Sequence, residues 1–272
     1  MSGSNDYLHG YDPKEQSRLY DQARYLEPRV LEGFDFSAHG HVLEVGCGVG
    51  AQTEILLRRF PNLRVTGIDI SSAQIERARS HLESLPELRH RSDFLVGDAS
   101  DLQPSTDRTY DGAYLCWILE HVKNPLALLG NLKRILKPGS KICVAEVFNS
   151  TLFVHPRKPA LMRYWEAYNV LQSSLGGDPW VGGKLGALLA SAGFSEVRIR
   201  PHPILEDCRD PEGRESILVY WRDLLLSASD QLLERGLVDQ ALIEQLEDAL
   251  RSLRKDPGSI FFYAFMKAEG LT

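Results

Sequence analysis

Cysteine is scarce in this chain, with four residues in 272, and no two of them stand in the C-x-x-C spacing of zinc knuckles and redox pairs. No stretch approaches the roughly 18 apolar residues of a membrane span, and residues 1–20 contain no apolar core of a secretory signal. Basic residues are outnumbered, since the net charge is -6, and phosphate binding needs a basic face. We therefore expect a cytoplasmic protein with neither a nucleic-acid partner nor a membrane partner.

An apolar run followed by closely spaced glycines is the most informative feature that the chain does have. Residues 42–45 have the character of a buried strand, Gly46, Gly48 and Gly50 open a turn, and residues 51–60 form a helical pattern. Glycines let the backbone approach a ligand closely, and a helix N-terminus offers free N–H groups. This combination predicts a site for a nucleotide-type cofactor. The G-x-G-x-G spacing differs from the G-x-G-x-x-G loop of dinucleotide enzymes, which argues against an NAD-linked dehydrogenase.

Further strands and helices alternate after this loop, and such alternation predicts a parallel sheet. The second predicted strand ends at Asp69, the third is followed by Asp98, and the fourth is followed by His121. In open α/β sheets the ligand lies at the carboxyl ends of the strands. The predicted strands cover residues 64–70, 94–96, 110–117 and 141–147, and the predicted helices cover residues 52–60, 72–83 and 125–136.

The ordered series of motifs over residues 40–150 resembles the class I methyltransferases that use S-adenosyl-L-methionine. It is most similar to the branch that includes quinone-biosynthesis and other small-molecule methyltransferases. The resemblance implies an α/β, Rossmann-like fold with a seven-stranded, mostly parallel sheet and helices on both faces. Residues 259–269 are the candidate for the last strand, which this family places antiparallel between the fifth and sixth strands.

The resemblance also suggests how the chain is divided. We expect an N-terminal lid and helical segment, a cofactor-binding core, and a C-terminal part in which the remaining core strands carry a helical cap. These parts cover residues 1–39, 40–147 and 148–272, and the cap insertions cover about residues 148–183 and 205–257.

Helical patterns fill the two outer parts. A helix is predicted from Asp12 as N-cap to about Glu27, ending near Pro28, and further helices are predicted over residues 160–173, 212–228 and 238–254. An apolar stripe marks the last of these helices, so that it packs either on its own cap or between subunits. We therefore expect a monomer or a homodimer. The stripe consists of Leu242, Leu246, Leu250 and Leu253.

The family resemblance assigns the cofactor S-adenosyl-L-methionine, with S-adenosyl-L-homocysteine as product, to the glycine loop and the strand ends. It implies that Glu44 orients the amino-acid end of the cofactor, that Asp69 accepts both ribose hydroxyls, and that Asp98 with Ala99 contacts the adenine. The alternative for each carboxylate is a cap on the following helix. The predicted cofactor residues are Glu44, Gly46, Cys47, Gly48, Gly50, Asp69, Ile70, Asp98, Ala99, Leu115 and Cys116.

Aromatic residues on segments expected around the pocket suggest walls for a planar or cationic substrate. The alternative is that these aromatic residues pack the cap on the sheet. We interpret Trp221 as a core residue or a subunit contact. Within the family that the chain resembles, an Asn/Asp-Pro-Pro-Tyr/Phe motif after the fourth strand marks methylation of amino groups of adenine or glutamine, and this chain lacks it. No carboxylate ends the fourth strand, as it does in the magnesium-dependent catechol methyltransferases, so we expect no metal. The predicted substrate residues are Tyr20, Trp117, Tyr164, Trp165, Tyr168 and Trp180.

His121 is the candidate general base, because its unperturbed pKa suits proton transfer near neutrality. A structural hydrogen bond is an equal alternative for this residue. Tyr11, Tyr20, Tyr168 and Asp178 are other possible proton acceptors, and a carbanion, thiolate or neutral amine nucleophile needs no base.

The sequence thus predicts methyl transfer by in-line displacement to a small aromatic or heterocyclic molecule. The accepting atom stays open among oxygen, nitrogen, carbon and sulfur. Alternatives are a protein or RNA methyltransferase, and a cofactor-binding protein of this fold that does not methylate.

Overall fold

A computed structural model describes residues 13–103 and 110–272. Asp12, the predicted N-cap, and Tyr11, one of the candidate bases, lie outside these residues. Among the residues described, no helix is long and apolar enough to cross a membrane.

One eight-stranded sheet organises the molecule. The strands are β1 (His41–Val45), β2 (Arg64–Asp69), β3 (Ser92–Val96), β4 (Tyr110–Cys116), β5 (Leu136–Glu146), β6 (Phe153–His155), β7 (Ser195–Glu206) and β8 (Ile260–Leu271). Their order is β3-β2-β1-β4-β5-β8-β7, and β6 pairs with the start of β8 on the same edge as β5. The first five strands are parallel to one another.

Strand β8 lies antiparallel between β5 and β7, as the resemblance implied for the last strand. The Rossmann-like α/β fold is therefore confirmed. The sheet carries one short strand beyond the seven expected, because β6 pairs with the first residues of β8, where Phe153 lies opposite Phe262. This strand has only three residues, and its partner is distant in sequence, so residues 148–159 gave the pattern of a loop.

Helices cover both faces of the sheet. Their observed bounds are close to the predicted ones, although the first helix continues past Pro28 and a short helix was missed between the two helices of the second insertion. The helices are α1 (Pro13–Val30), α2 (Ala51–Arg59), α3 (Ser72–Glu83), α4 (Pro125–Ile135), α5 (Pro159–Ser174), α6 (Leu185–Ser191), α7 (Pro211–Leu226), α8 (Ser229–Glu234) and α9 (Gln240–Lys255).

Two apolar clusters form the core, one on each face of the sheet. The larger cluster joins α1, α2 and α3 to the C-terminal helices, and the smaller one lies beneath α4 and α6. The apolar stripe of α9 is buried against α5 and α7 of the same chain, so it does not form a subunit contact. Ile243 rather than Leu242 completes the buried set with Leu246, Leu250 and Leu253.

Candidate cofactor and acceptor site

The glycine loop is held at the end of β1 by hydrogen bonds to the neighbouring strand. The backbone N–H groups of Gly46 and Cys47 both donate to the carbonyl oxygen of Ile68, at 2.8 and 3.2 Å. Gly48 has a left-handed φ of 50°, and a side chain added there would meet no atom within 4 Å. The loop therefore presents bare backbone to open space, and helix α2 begins directly after it at Ala51.

Asp69, at the end of β2, ties this loop to the next one. Its two carboxylate oxygens accept from the backbone N–H groups of Gly48 and Ser71, each at 2.9 Å. Burial raises the pKa of Asp69, while the backbone N–H donors oppose that rise. A carboxylate has lone pairs beyond those that these two bonds use, so Asp69 can still accept hydroxyl groups of a ligand.

A cavity of about 720 Å³ opens at the carboxyl ends of the parallel strands, where open α/β sheets bind ligands. Its volume lies in the range of small-molecule sites. Eight predicted cofactor residues line it: Gly46, Cys47, Gly48, Asp69, Ile70, Asp98, Ala99 and Cys116. We call this part of the cavity the cofactor half.

Three predicted cofactor residues, Glu44, Gly50 and Leu115, are not among the lining residues, and their predicted role is corrected to a supporting one. Glu44 is only 3% exposed and accepts from the Thr53 hydroxyl, and burial raises its pKa to about 8. A side chain at Gly50 would lie 3.1 Å from the Cβ of Ala78 in α3. Leu115 is fully buried in the smaller apolar cluster.

The rest of the cavity has aromatic walls, which we call the acceptor half. Three of the predicted substrate residues line it: Trp117, Trp165 and Tyr168. The Trp165 and Tyr168 rings stack at 5.3 Å with 15° between their planes. The sequence reasoning missed four further aromatic residues of this half: Tyr220, Trp221, Tyr263 and Phe265.

The remaining three predicted substrate residues do not line the cavity, and those predictions are corrected. Tyr20 donates its hydroxyl to the carbonyl oxygen of Val49 at 2.8 Å, which fastens α1 to the glycine loop. The hydroxyl of Tyr164 on α5 donates to the carbonyl oxygen of Leu225 on α7 at 3.0 Å. Trp180 is 40% exposed at the surface.

Helix α1 runs along one wall of the cavity. Gln22, Ala23 and Leu26 are lining residues, and the Tyr25 ring stacks on Tyr220 of α7 at 5.5 Å. The helix thus touches the glycine loop near one end and the acceptor half near the other. That it acts as a lid stays a prediction.

The segment after β4 is positioned by a buried carboxylate, which sequence reasoning did not single out. Glu146, at the end of β5, accepts from the backbone N–H groups of Ile118, Leu119 and Glu120 at 2.9, 2.7 and 3.3 Å. Burial and the Glu120 carboxylate raise the pKa of Glu146, against those three donors. Because Glu146 fixes this turn, the residues that follow reach the cavity in one arrangement.

His121 lines the cavity beside Glu120, and its Nε2 atom lies 3.7 Å from the Glu120 Oε1 atom. Burial lowers the pKa of His121 to about 4. The imidazole is therefore neutral near pH 7, and a neutral imidazole can accept a proton. By contrast, burial raises the pKa of Cys47 and Cys116 well above the usual value, so both cavity thiols stay protonated.

Within residues 13–103 and 110–272, no three His, Cys, Asp or Glu side chains cluster so that they could hold a metal ion.

Several known proteins that are similar to this chain are methyltransferases. Residues 43–144 match the family model described as a methyltransferase domain. An O-methyltransferase of Aspergillus nomiae is 30% identical over 76% of this chain and 86% of its own length. A second O-methyltransferase, from Aspergillus sclerotiorum, is 31% identical over 73% and 74% of the two chains.

Solved structures share the fold at low sequence identity. Haemonchus contortus phosphoethanolamine N-methyltransferase 2, solved with S-adenosylhomocysteine, superposes with a TM-score of 0.61 at 14% identity. The match covers the whole of this chain but only 60% of that one. The [4+2]-cyclase SpnF superposes with a TM-score of 0.51 at 22% identity, over 93% and 79% of the two chains.

Proposed function

Because this chain belongs to the class I S-adenosylmethionine-dependent methyltransferase family, we propose that it methylates a hydroxyl oxygen of a small aromatic acceptor. The observation that carries the proposal is the continuity of the cavity, in which the glycine loop and Asp69 lie at one end and seven aromatic residues at the other. The choice of oxygen is supported by relatives that are O-methyltransferases and match most of the chain.

The cofactor half fits S-adenosylmethionine. The bare backbone at Gly48 leaves room for a ligand against the loop, and Asp69 and Asp98 supply carboxylates for hydroxyl and amino groups. When bound, the cofactor supplies an activated methyl group for in-line displacement. Glu44 supports the site from below, since its carboxyl group bonds Thr53 of α2 rather than facing the cavity.

In the acceptor half the protein positions the nucleophile and excludes water. The stacked rings of Trp165 and Tyr168 offer a flat apolar surface, and Trp221 lies 4.8 Å from the Tyr263 ring. Rings arranged in this way bind planar molecules through offset stacking and edge contacts. Helices α1, α5 and α7 enclose the site. An enclosed site suits a small molecule better than a protein or RNA substrate.

His121 is the proposed acceptor of the hydroxyl proton. It lines the cavity and is neutral near pH 7, because burial lowers its pKa to about 4. As the new carbon–oxygen bond forms, the hydroxyl proton passes to a nitrogen of the imidazole ring. The Glu120 Oε1 atom lies 3.7 Å from the Nε2 atom of this ring.

The proposal is tested by identifying the bond that is formed. The enzyme is incubated with S-adenosylmethionine carrying a ¹³C-labelled methyl group and a cell extract, and the labelled product is purified. We expect a ¹³C chemical shift typical of an aryl methyl ether. A shift typical of N-methyl or C-methyl groups would overturn the choice of oxygen but leave methyl transfer standing.

A further inference from the structure

Gln52 places a polar side chain in the wall of the cavity, directly after the glycine loop. It is the second residue of α2 and one of the lining residues. Its Oε1 atom accepts from the hydroxyl of Tyr114 on β4, 3.3 Å away. Tyr114 is fully buried, and burial raises the pKa of its hydroxyl well above the ordinary value, so this group keeps its proton. The hydroxyl therefore holds the oxygen of the Gln52 amide toward the interior of the protein.

The nitrogen of the same amide is free to bind a ligand. In the part of the chain that the structure describes, the Gln52 Nε2 atom has no hydrogen-bond partner, and it is accessible rather than buried. An amide nitrogen carries two N–H donors. Because Tyr114 holds the oxygen, the nitrogen lies on the side away from that hydroxyl. The cavity wall thus contains a fixed donor that a ligand can use.

The strand order indicates which end of the cofactor meets Gln52. Asp98 follows β3, Asp69 ends β2 and the glycine loop follows β1, and these strands are neighbours in the order β3-β2-β1-β4. A cofactor whose nucleoside bonds the two aspartates extends its other end across the glycine loop toward β4. Gln52 lies on that side, since its amide bonds Tyr114 of β4. The other end of the cofactor is its amino acid, which carries a carboxylate.

The buried acid next to Gln52 is not a source of negative charge near pH 7. Glu44 bonds the hydroxyl of Thr53, the residue after Gln52. Burial raises the pKa of Glu44 to about 8, so its carboxyl group is mainly protonated. An anionic group beside Gln52 therefore meets no charge on Glu44. A hydrogen bond from an amide N–H to an ionised carboxylate is of the stronger kind.

We propose that Gln52 recognises the carboxylate of the cofactor by donating hydrogen bonds from its Nε2 atom, and that Tyr114 is a positioning residue for this amide. The inference rests on the proposed function, because it concerns the cofactor of the same reaction. The alternative is a structural role in which Gln52 only supplies an acceptor for the buried hydroxyl of Tyr114. The two roles differ in one respect, since only recognition depends on the carboxylate of the ligand.

The first test compares two ligands that differ in this carboxylate alone. Isothermal titration calorimetry at pH 7 measures the binding of S-adenosylhomocysteine and of S-adenosyl-3-thiopropylamine, which is the same molecule without its carboxylate. We expect the wild type to bind S-adenosylhomocysteine about tenfold more tightly or better, the usual effect of a hydrogen bond to a charged group. Equal binding would overturn the proposal. Neither ligand carries a transferable methyl group, so the result does not depend on turnover.

Variants of Gln52 then assign the discrimination to this residue. Gln52→Met keeps the length of the side chain without its donors, and it should lower the ratio of the two affinities about fivefold or more by weakening S-adenosylhomocysteine alone. Gln52→Glu should lower the ratio further, because a like charge then faces the ligand carboxylate. Gln240→Glu, at an exposed position of α9, is the matched control and should leave the ratio unchanged. Equal weakening of both ligands by Gln52→Met would show a structural role and overturn recognition.

Tyr114→Phe tests the positioning of the amide. The variant keeps the buried ring and removes the hydroxyl that holds Gln52. The affinity ratio should fall about two- to fivefold, since a neutral hydrogen bond contributes about 0.5–1.5 kcal/mol. An unchanged ratio in Tyr114→Phe would overturn the role of Tyr114. An unchanged ratio in a Gln52→Met protein that still binds S-adenosylhomocysteine would overturn the role of Gln52 and leave methyl transfer standing. If Gln52→Met does not fold, the wild-type and Tyr114→Phe ratios still decide.

Discussion

Asp69 holds the glycine loop and also faces the cavity. It ends β2, holds Gly48 and Ser71 through their backbone N–H groups, and lines the cavity. The position was readable from the sequence, because a carboxylate at the end of the second strand is a local feature. Its hydrogen bonds to Gly48 and Ser71 could not be predicted from the sequence, because they depend on how the two loops lie together in space.

Asp69→Asn should weaken S-adenosylmethionine binding about 10- to 100-fold, because hydrogen bonds to a charged group contribute about 1.5–3 kcal/mol. Isothermal titration calorimetry checks the value. Asp93→Asn changes an exposed carboxylate of β3 that pairs with Arg64, and it should bind the cofactor like the wild type. Equal affinity of both variants would contradict the assignment of Asp69.

His121 makes a prediction about pH. Because its pKa is lowered to about 4 by burial, it stays neutral from about pH 5 upward. The kcat/KM value for the acceptor should therefore show no acidic limb near pH 6.5 and should fall only as the pH approaches 4. His121→Asn should lower kcat about 10²- to 10⁴-fold.

The control for this variant is His90→Asn. This histidine is exposed and does not line the cavity, so the variant should retain the kcat of the wild type. Full activity of His121→Asn would favour the structural hydrogen bond that the sequence left as the alternative. An acidic limb near pH 6.5 that disappears in His121→Asn would contradict the lowered pKa.

At the scale of elements, the sequence predicted nearly every helix and strand but not which face of each cap helix meets the cavity. Tyr164 and Tyr168 are one turn apart on α5, yet Tyr164 bonds Leu225 and only Tyr168 lines the cavity. The choice depends on how α5 packs against α8 and α9, which are distant in sequence. Trp221 was missed for the same reason.

The sequence did contain a pattern that predicts two of the missed aromatic residues. Tyr263 and Phe265 alternate on β8, so they share one face of the sheet, and that face meets the cavity. The backbone conformation of Trp117 could not be predicted from the sequence. Its φ of 53° is left-handed, and tryptophan rarely adopts this conformation. Backbone strain of this kind clusters at functional sites, and only the structure reveals it.

The contact between the glycine loop and α3 is sensitive to a single methyl group. Gly50 has a φ of 78°, and an added Cβ would lie 3.1 Å from side-chain atoms of Ala78 and Leu82. Gly50→Ala should lower the free energy of unfolding by about 1–3 kcal/mol, from left-handed strain and crowding. Urea unfolding measures this change.

Gly130 offers the opposite case in α4, because an added Cβ there would meet nothing within 4 Å. Gly130→Ala should raise the free energy of unfolding by roughly 0.5–1 kcal/mol through helix propensity. A Gly50→Ala protein as stable as Gly130→Ala would contradict the packing described for the loop.

For the whole molecule, Glu44 couples stability to pH. Burial raises its pKa to about 8 in the folded protein, whereas the unfolded chain has the ordinary value near 4.3. The folded state therefore binds more protons in this range, so this contribution is complete below about pH 4.3 and is lost as the pH rises through about 8. The slope is at most about 1.4 kcal/mol per pH unit.

Comparison with Glu44→Gln isolates this contribution, since glutamine keeps an acceptor for Thr53 but does not titrate. The unfolding free energy of the wild type minus that of Glu44→Gln should decrease between pH 5 and pH 8. The same difference for Glu76→Gln, an exposed position on α3, should stay constant. A constant difference for Glu44→Gln would mean that its carboxyl group is not buried as described.

The central claim is that this molecule transfers a methyl group from S-adenosylmethionine to a small molecule. The most direct measurement is transfer of label from methyl-labelled S-adenosylmethionine into a fractionated cell extract, by the wild type and by Asp69→Asn. We expect label in a small-molecule fraction with the wild type, and much less label with the variant at limiting cofactor. Label in protein or RNA, or no transfer by a protein that still binds the cofactor, would contradict the account.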